Sequence, residues 1–456
     1  MRFKYPALLT IGSLLFFNCS MAHAEDRPNF VFILADDLGW NATSVEMDPQ
    51  IDYSGSDYYQ TPNLEKLADR GIRFSSAYAA APICTPSRRG LLYGMTPARQ
   101  HGERFPSRFQ PTEYQSIPQL LKKTDSRYRT AIFGKWGSQM GAEPAQVGYD
   151  ESDGPTDNWV GGMSFPHPET EFLYRIKDDP KKTFSITDRA VSFLQRTAAE
   201  QQPFFLYVSY YAVHHDIECR MESLKKYKGR RGKYHFNEAY AAMIDDMDCA
   251  IGRILDTLEK LGLDNNTYII FTSDNGGEPG YEMGNFKTAD LQQNDSLNYP
   301  LKNGKGSLFE GGLRVPFIAA GPGIPPGTVC RSPIVGWDLL PTLLDLADAS
   351  PDLLTHDIDG QSFKPLLLGQ PEPERSPLPV FHSPYMLGRK MSIIRSENFK
   401  LIHRWDNGEN YLFNLNEDLG EHNDLSSTLP EKTEQLRKQV NRYLEEINAD
   451  IPGEKK

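Results

Sequence analysis

The chain has 456 residues, of which 39% are hydrophobic, and its formal net charge is −12. This length and composition predict a folded protein with one large domain or two unequal ones. The acidic balance excludes a protein built as a whole to bind polyanions, so nucleic acid is not an expected partner and any polyanion must bind locally.

The first 24 residues predict a signal peptide. Arg2 and Lys4 precede an apolar run over 7–17, and Ala22-His23-Ala24 provides the cleavage site. The run is too short for a membrane span, and no transmembrane segment is predicted elsewhere. We therefore expect an exported protein, periplasmic or secreted. Cys19 follows a poor lipobox, so a lipid anchor is not expected.

Four apolar runs along the chain predict buried strands, and each leads within a few residues to ionisable or amide side chains. Open α/β sheets bind their ligands outside the carboxyl ends of the strands, so these side chains predict one site. The runs and their polar residues are 29–35 before Asp36 and Asp37, 128–133 before Lys135, 203–210 before His214 and His215, and 267–272 before Asp274 and Asn275.

The remaining segments divide the chain. Helical patterns cover 61–70, 115–123, 186–200 and 239–261. A stretch rich in Pro and Glu, 368–379, predicts a boundary between a catalytic domain, 25–372, and a smaller C-terminal domain, 373–456. The smaller domain is expected to be an antiparallel sheet with a final helix, built from 391–395, 400–404, 411–414 and 430–448. At most one disulfide can form among Cys219, Cys249 and Cys330, and the sequence does not choose it.

The most informative stretch is Cys84-Thr85-Pro86-Ser87-Arg88, which follows an extended run over 73–80. Pro86 suits the first position of a helix, which predicts that Cys84 lies at a helix N-terminus. Backbone N–H groups and the helix dipole favour an anion there. A cysteine alone is more often a buried structural residue, so a catalytic role for Cys84 depends on the surrounding motif.

This motif resembles the signature of the type I, formylglycine-dependent sulfatases, and departs from it at Tyr93, where Thr is frequent. The resemblance covers nearly the whole chain after the signal peptide. Weaker matches to family blocks lie at 27–29, 35–40, 304–306, 310–316, 338–342, 359–360, 411–415 and 421–425.

The resemblance implies an alkaline-phosphatase-like α/β fold, with a large, mostly parallel mixed sheet between helices and a small C-terminal antiparallel sheet with a helix. It implies that a formylglycine-generating or sulfatase-maturing enzyme converts Cys84 to formylglycine, whose hydrate is the nucleophile. It also implies one bound Ca²⁺, and oxygen donors suit such a hard cation. Its ligands by motif match are Asp36, Asp37, Asp274 and Asn275.

The resemblance and the strand-end positions also assign roles to the basic side chains. Arg88, one turn into the helix, can hold the nucleophile. Lys135 and Lys305 can neutralise sulfate oxygens. His214 is the candidate to protonate the leaving oxygen, with His215 as the fallback.

One position departs from the family in a way that affects chemistry. The family usually has Gly-Lys-Trp-His, whereas this chain has Gly134-Lys135-Trp136-Gly137. The missing histidine normally helps to release the sulfate, so that step needs another group. His101 and His215 are the alternatives.

A basic segment, 220–236, contains seven Lys and Arg residues and one Glu, with three aromatic residues interleaved. Charge runs are usually solvated faces. Because this one begins just after His214, we expect it to line the site and bind further sulfates of a sulfated carbohydrate. Its proposed binding residues are Lys225, Lys226, Arg230 and Arg231.

The sequence thus predicts an exported sulfatase acting on a sulfated carbohydrate of the carrageenan, ulvan or chondroitin type, without choosing among them. A formylglycine-dependent phosphonate or phosphate ester hydrolase is one alternative. A catalytically weak protein that binds sulfated glycans is another, suggested by Gly137.

Overall fold

The computed structural model describes residues 27–103, 107–163, 174–278, 297–375, 379–385 and 390–452. The predicted signal peptide and Cys19 lie outside these residues. None of the helices within the described ranges combines the length and the apolar character that a membrane crossing needs.

The strands of the described chain are, in order, β1 (Asn29–Ala35), β2 (Ile72–Phe74), β3 (Ala77–Tyr78), β4 (Arg129–Gly134), β5 (Glu151–Ser152), β6 (Tyr174–Ile176), β7 (Phe204–Ser209), β8 (Ile217–Cys219), β9 (Thr267–Ser273), β10 (Phe317–Ala320), β11 (Thr328–Cys330), β12 (Ile334–Val335), β13 (Val380–Ser383), β14 (Met391–Ser396), β15 (Phe399–Arg404) and β16 (Asn410–Asn414). The α-helices are α1 (Pro62–Asp69), α2 (Cys84–Tyr93), α3 (Ile117–Thr124), α4 (Thr183–Glu200), α5 (Met221–Tyr227), α6 (Glu238–Lys260), α7 (Glu310–Leu313), α8 (Leu339–Leu346), α9 (Lys364–Leu367) and α10 (Pro430–Glu446).

The main sheet has eight strands in the order β11-β2-β10-β9-β1-β7-β4-β5. Neighbours from β9 to β5 are parallel, whereas β10 runs antiparallel to β9 and β2. This confirms the predicted mixed, mostly parallel α/β sheet. The four strands with polar residues at their carboxyl ends, β9, β1, β7 and β4, are consecutive neighbours, so those residues meet at one edge.

The central strand β1 shows why its sequence is continuously apolar. All seven residues are buried, and alternate side chains enter two different cores. Val31 and Ile33 pack in the core that includes α4 and α6, whereas Phe30 and Phe32 pack in the core that includes α2, α3 and α8. Helices therefore cover both faces of the sheet, and its carboxyl edge is the open position for a ligand.

The predicted helices are present, with ends that agree within two residues except at two N-termini, whereas α5, α7, α8 and α9 are not predicted by the sequence. Helix α4 begins at Thr183, three residues before the predicted start. Helix α2 begins at Cys84, so the prediction that Pro86 occupies its first position is wrong. Proline is tolerated at Pro86 because the N–H groups of the first turn have no partner within the helix. The predicted placement of Cys84 at a helix N-terminus is confirmed.

The C-terminal part forms the expected antiparallel sheet, in the order β13-β14-β15-β16, and α10 packs on it. Strand β13 lies between the predicted boundary and the first predicted strand of this part, and no strand is predicted there. The inner face of the sheet packs Ile393, Ile402 and Phe413 against Tyr78 and Trp337 of the main domain. The division at residue 372 stays a prediction.

The cysteines within the described residues, Cys84, Cys219, Cys249 and Cys330, are free in this structure.

Candidate active site

The carboxyl edge of the main sheet faces the N-terminus of α2. Cys84 is half-buried, and its Sγ lies 3.3 Å from Asp36 Oδ1 and 3.6 Å from Asp37 Oδ1. Burial and the charges of Asp274 and Asp36 raise the pKa of the thiol well above its usual value. A thiol that resists ionisation is a poor nucleophile, so an unmodified Cys84 is ill suited to attack an ester.

Three carboxylates surround this sulfur. One ligand atom from each of Asp36, Asp37, Asp274 and Cys84 can be chosen so that all lie within 4.8 Å of one another. The side chains of the three aspartates are fully buried. Burial raises the pKa of Asp274 to about 7, with the neighbouring Asp36 adding to the effect. Packing several acids into one buried space is unfavourable unless a cation is present, so this arrangement fits a metal site.

Asn275 supplies independent support for a cation. Its Nδ2 donates to Asp37 Oδ1 at 2.8 Å, which turns the amide toward the carboxylates. Its Oδ1 is buried and has no hydrogen-bond partner among the described residues. Buried polar atoms are normally satisfied, and an amide oxygen is a ligand that Ca²⁺ accepts. The four predicted metal ligands thus lie together, and their donors fit a hard cation.

Arg88, Lys135 and Lys305 provide the positive charge. Arg88 binds Asp274 Oδ2 through Nε at 2.9 Å and through its Nη2 at 2.8 Å. Lys135 Nζ lies 2.5 Å from Asp36 Oδ2, and Lys305 Nζ lies 2.7 Å from Asp37 Oδ2. All three predicted cations therefore belong to the cluster, and each binds one of its aspartates.

Glu278 is a fourth carboxylate, which the sequence reasoning missed. It lies 3.0 Å from Lys305 Nζ and 3.5 Å from His215 Nδ1. Burial alone would raise its pKa, but the charge of Lys305 lowers it to about 2, so it is ionised. Its position four residues after Asp274 is the one feature of the sequence that could have indicated a place in the site. With every acid ionised, four carboxylates and three cations leave the cluster with one net negative charge.

His214 is buried beside the carboxylates, with Nε2 3.7 Å from Asp37 Oδ2. Its Nδ1 lies 2.7 Å from the carbonyl oxygen of His215 and therefore carries the proton. Nε2 then accepts from the Asn158 amide at 3.2 Å. Burial and the charge of Lys305 lower the pKa of His214 well below its usual value. Asn158 comes from an irregular loop, and nothing in the sequence marked it.

Gly137 occupies the position where the family has histidine. Its φ is +120°, a conformation that glycine adopts far more readily than other residues. A Cβ there would meet Thr85, Arg88 and Met140 at ordinary contact distances of 3.5 to 3.6 Å. The backbone, rather than lack of space, therefore favours glycine. His101 makes no hydrogen bond or ion pair with the cluster in the described part of the chain, whereas His215 does reach Glu278.

Among the described residues, no Lys or Arg side chain of the basic segment forms an ion pair with Asp36, Asp37, Asp274 or Glu278. Lys225 and Lys226 lie on α5, where Lys226 Nζ binds Asp245 of α6 at 2.7 Å. The Arg230 guanidinium lies 5.7 Å from the Tyr227 ring centroid, and that of Arg231 lies 4.7 Å from that of Phe236. All four predicted binding residues are exposed. Lys226 is paired with Asp245, and a role for all four residues in binding sulfates stays a prediction.

Comparisons with known proteins agree with this geometry. The Sulfatase family profile matches residues 28–349, and the profile described as N-sulphoglucosamine sulphohydrolase, C-terminal, matches residues 303–450. The N-acetylgalactosamine-6-sulfatase of Mus musculus is 30% identical over 415 residues, covering 84% of this chain and 73% of the relative. A sulfatase of Formosa agariphila is 27% identical over 511 residues, covering 92% and 88%.

Among solved structures, Ps i-CgsB in complex with k-i-k-neocarrahexaose superposes with a TM-score of 0.73 and 26% identity, over 92% of this chain and 93% of that one. The chain therefore belongs to the sulfatase family, with its alkaline-phosphatase-like fold, and is a sulfuric ester hydrolase.

Proposed function

We propose that this protein hydrolyses sulfate esters on a sulfated carbohydrate, using residue 84 as formylglycine together with one Ca²⁺. The observation that carries the proposal is the position of Cys84 at the N-terminus of α2, 3.3 to 3.6 Å from two buried carboxylates. The names of the relatives support a sugar substrate, since they include an N-acetylgalactosamine-6-sulfatase and a structure solved with a neocarrahexaose.

The charge of the cluster fits this chemistry. A divalent cation on Asp36, Asp37, Asp274 and Asn275 would change the net charge from one negative to one positive. A sulfate monoester carries one negative charge, so the loaded site would be complementary to it. When bound, the cation polarises a sulfate oxygen, and the formylglycine hydrate supplies the attacking hydroxyl.

The basic side chains of the cluster position residue 84 and neutralise the charge of the sulfate. Arg88 is fixed by Asp274 and by Ser209 Oγ at 2.6 Å, and so can hold the group at residue 84. Lys135 is bound to Asp36 and Lys305 to Asp37, the two carboxylates next to residue 84. Ammonium groups held in these positions can stabilise sulfate oxygens.

His214 is the proposed acid for the leaving alcohol. Its Nε2 faces the carboxylates as an acceptor in this structure, so it must first gain a proton. The charge of the nearby Asp36 favours that proton, opposing burial. His215, which contacts Glu278, is the alternative proton carrier in place of the histidine absent at Gly137.

The proposal includes the protein's processing and location. A signal peptide over 1–24 would direct export to the periplasm or beyond, and a formylglycine-generating or sulfatase-maturing enzyme would act on Cys84. The domains proposed are 25–372 and 373–456. The exposed residues Lys225, Lys226, Arg230 and Arg231 would bind additional sulfates.

The test joins mass spectrometry with substrate turnover. Active protein should carry an aldehyde at residue 84, about 18 Da lighter than a thiol because CHO replaces CH₂–SH. The same preparation should release sulfate from at least one defined sulfated oligosaccharide. Full activity from an unmodified thiol would refute the proposed nucleophile.

Two control substrates address the alternatives. Faster turnover of a phosphonate or phosphate monoester than of any sulfate ester would favour a phosphonate or phosphate ester hydrolase. Tight binding of sulfated oligosaccharides without turnover, by protein with full aldehyde content, would favour a binding protein weakened by Gly137.

A further inference from the structure

Three tyrosines and one lysine from distant parts of the chain meet at the surface. The Tyr234 and Tyr299 rings stack with centroids 4.0 Å apart, and Tyr53 meets Tyr234 edge-on at 4.7 Å. The Lys233 ammonium lies 4.4 Å from the Tyr53 centroid and 5.2 Å from that of Tyr234. The tyrosines are half-buried and Lys233 is exposed. We refer to these four residues as the tyrosine–lysine patch.

The patch is joined to the active site by a short series of contacts. Tyr299 follows Asn298, whose side chain accepts from Gly277 N at 3.1 Å and donates to Gly277 O at 2.9 Å. Gly277 precedes Glu278, which binds Lys305 of the site. On the other side, Asn41 Nδ2 donates to the Tyr299 carbonyl oxygen at 2.5 Å, and Asn41 belongs to the loop that begins with Asp36 and Asp37.

The ammonium of Lys233 is held in place but not neutralised. It donates to the Tyr53 hydroxyl and lies near two ring centroids, contacts that restrict a flexible side chain. Within the described ranges it forms no ion pair with a carboxylate. Asp57 accepts from the backbone N–H of Lys233 and not from its ammonium. A fixed, exposed cation binds an anion at a smaller entropic cost than a mobile one.

We propose that the tyrosine–lysine patch binds a second sugar of the substrate, one that carries its own sulfate or carboxylate group. The inference rests on the proposed function and names the substrate more closely, as a chain with anionic groups on neighbouring sugars. The aromatic rings offer partly apolar surface to the sugar, and Lys233 offers a cation to its anionic group. Lys226 differs, because its ammonium is already paired with Asp245.

The test uses Lys233→Met, which removes the charge and keeps an unbranched side chain. Binding is measured by calorimetry with full-length Cys84→Ala protein, which removes turnover, over tetrasaccharides of the carrageenan, ulvan and chondroitin types. For the tightest binder we expect Lys233→Met to raise Kd about fivefold, the size of a good exposed charge interaction. Matched tetrasaccharides lacking either the neighbouring sulfate or the carboxylate will show which anion Lys233 binds.

Lys228→Met is the matched control, because Lys228 is an exposed lysine of the same segment that contacts none of the three patch tyrosines within the described residues. It should bind like the parent. Turnover of 4-nitrophenyl sulfate by the Lys233→Met protein with intact residue 84 should also be unchanged, since this substrate has no second sugar.

An unchanged Kd for every tetrasaccharide, or no tetrasaccharide binding by the parent, would overturn the patch as a subsite. An equal loss with 4-nitrophenyl sulfate would do the same, because it would mean a change in the active site. Failure of the parent to cleave any sulfate ester would instead contradict the proposed function.

Discussion

Two groups of buried charged side chains differ in how their charges are balanced. One surrounds Cys84. The other, which we call the seam cluster, lies between the main domain and the C-terminal sheet and consists of Glu310, Arg314, Lys400 and Glu421. Lys400 Nζ lies 2.9 Å from Glu310 Oε1 and 2.8 Å from Glu421 Oε1, and Arg314 Nε lies 2.8 Å from Glu310 Oε2.

The seam cluster is neutral, with two acids and two bases, whereas the cluster at Cys84 has one acid in excess. Glu421 also accepts from the backbone N–H of Glu310 at 2.7 Å, which joins the C-terminal part directly to α7. At the active site Asn275 Oδ1 is left without a partner among the described residues. Balanced charges indicate a structural role, whereas an excess of acid beside an unsatisfied amide oxygen indicates a site for a cation.

The largest expected effect is a loss of activity when the cluster at Cys84 is changed. Cys84→Ala should lower kcat/KM by about 10⁴-fold or more, because it removes the nucleophile that all other groups serve. Its free energy of unfolding should change little, since the thiol is half-buried. Initial rates with an aryl sulfate and urea unfolding of the same protein measure both quantities.

Cys84→Ser, made in a host that cannot convert serine, is the control that keeps a hydroxyl at this position. It should be almost as inactive as the alanine variant. Activity near that of the parent would contradict the need for the aldehyde.

The next effect concerns stability. Lys400→Met leaves Glu310 and Glu421 buried without their shared cation, so the free energy of unfolding should fall by about 3–5 kcal/mol. Turnover per folded molecule should be retained, because no member of the seam cluster touches residue 84. Urea unfolding and active-site-normalised rates measure the two outcomes.

A double variant checks the cause. Lys400→Met combined with Glu421→Gln removes one charge of each sign and should recover part of the lost stability. A further loss, equal to the sum of the single effects, would show that charge balance is not what holds the seam.

The sequence predicted the first cluster much better than the second. Buried parallel strands read as continuous apolar runs, so the polar residues after β1, β4, β7 and β9 could be placed at one edge. Lys400 meets Glu310 although they are separated by 90 positions in the chain, and no periodic pattern links them. The sequence named both blocks that contain these residues, but not the contact between them.

Within the active site, the features that the sequence did not predict have local physical reasons. Asn158 reaches His214 from an irregular loop, whose path has no periodicity to read. The start of α2 was placed late because Pro86 suits a first helical position, although the whole first turn tolerates proline. At Gly137 the sequence shows only the missing side chain, and its positive φ is seen in the structure alone.

A third prediction concerns stabilisation by Ca²⁺, which should depend on the cluster at Cys84 and not on the seam cluster. Ca²⁺ at about 100 times its Kd should stabilise the protein by about 2.7 kcal/mol, and chelation should remove this gain. Asp274→Asn should abolish most of the gain, because it removes charge from the oxygen cluster. Thermal unfolding with Ca²⁺ and with chelator measures the difference for each protein.

Glu310→Gln is the matched variant, since it neutralises a buried carboxylate of the seam cluster. Its baseline stability should fall, but the gain from Ca²⁺ should remain complete. Loss of the gain in both variants, or its retention in Asp274→Asn, would contradict the assigned metal ligands.

The smallest effect comes from His382 of β13, a buried position that is uncharged at neutral pH. Its Nε2 donates to the Asp450 carbonyl oxygen at 2.8 Å, and its Nδ1 lies 2.6 Å from Ser392 Oγ. Burial lowers the pKa of His382 to about 4, although the Asp450 carbonyl oxygen and carboxylate oppose the shift. The unfolded chain, with an ordinary pKa near 6.5, therefore binds a proton first as the pH falls.

The sign follows from that order. The stability contributed by neutral His382 is complete above about pH 6.5 and is lost as the pH falls toward 4, with about 2 kcal/mol gone at pH 5. His235, whose pKa burial also lowers to about 4, adds a loss of the same sign. Urea unfolding of the parent and of His382→Gln at pH 7 and pH 5 should therefore show a smaller acid loss in the variant. Equal losses in both proteins would mean that His382 is solvated in the folded state and does not have a lowered pKa there.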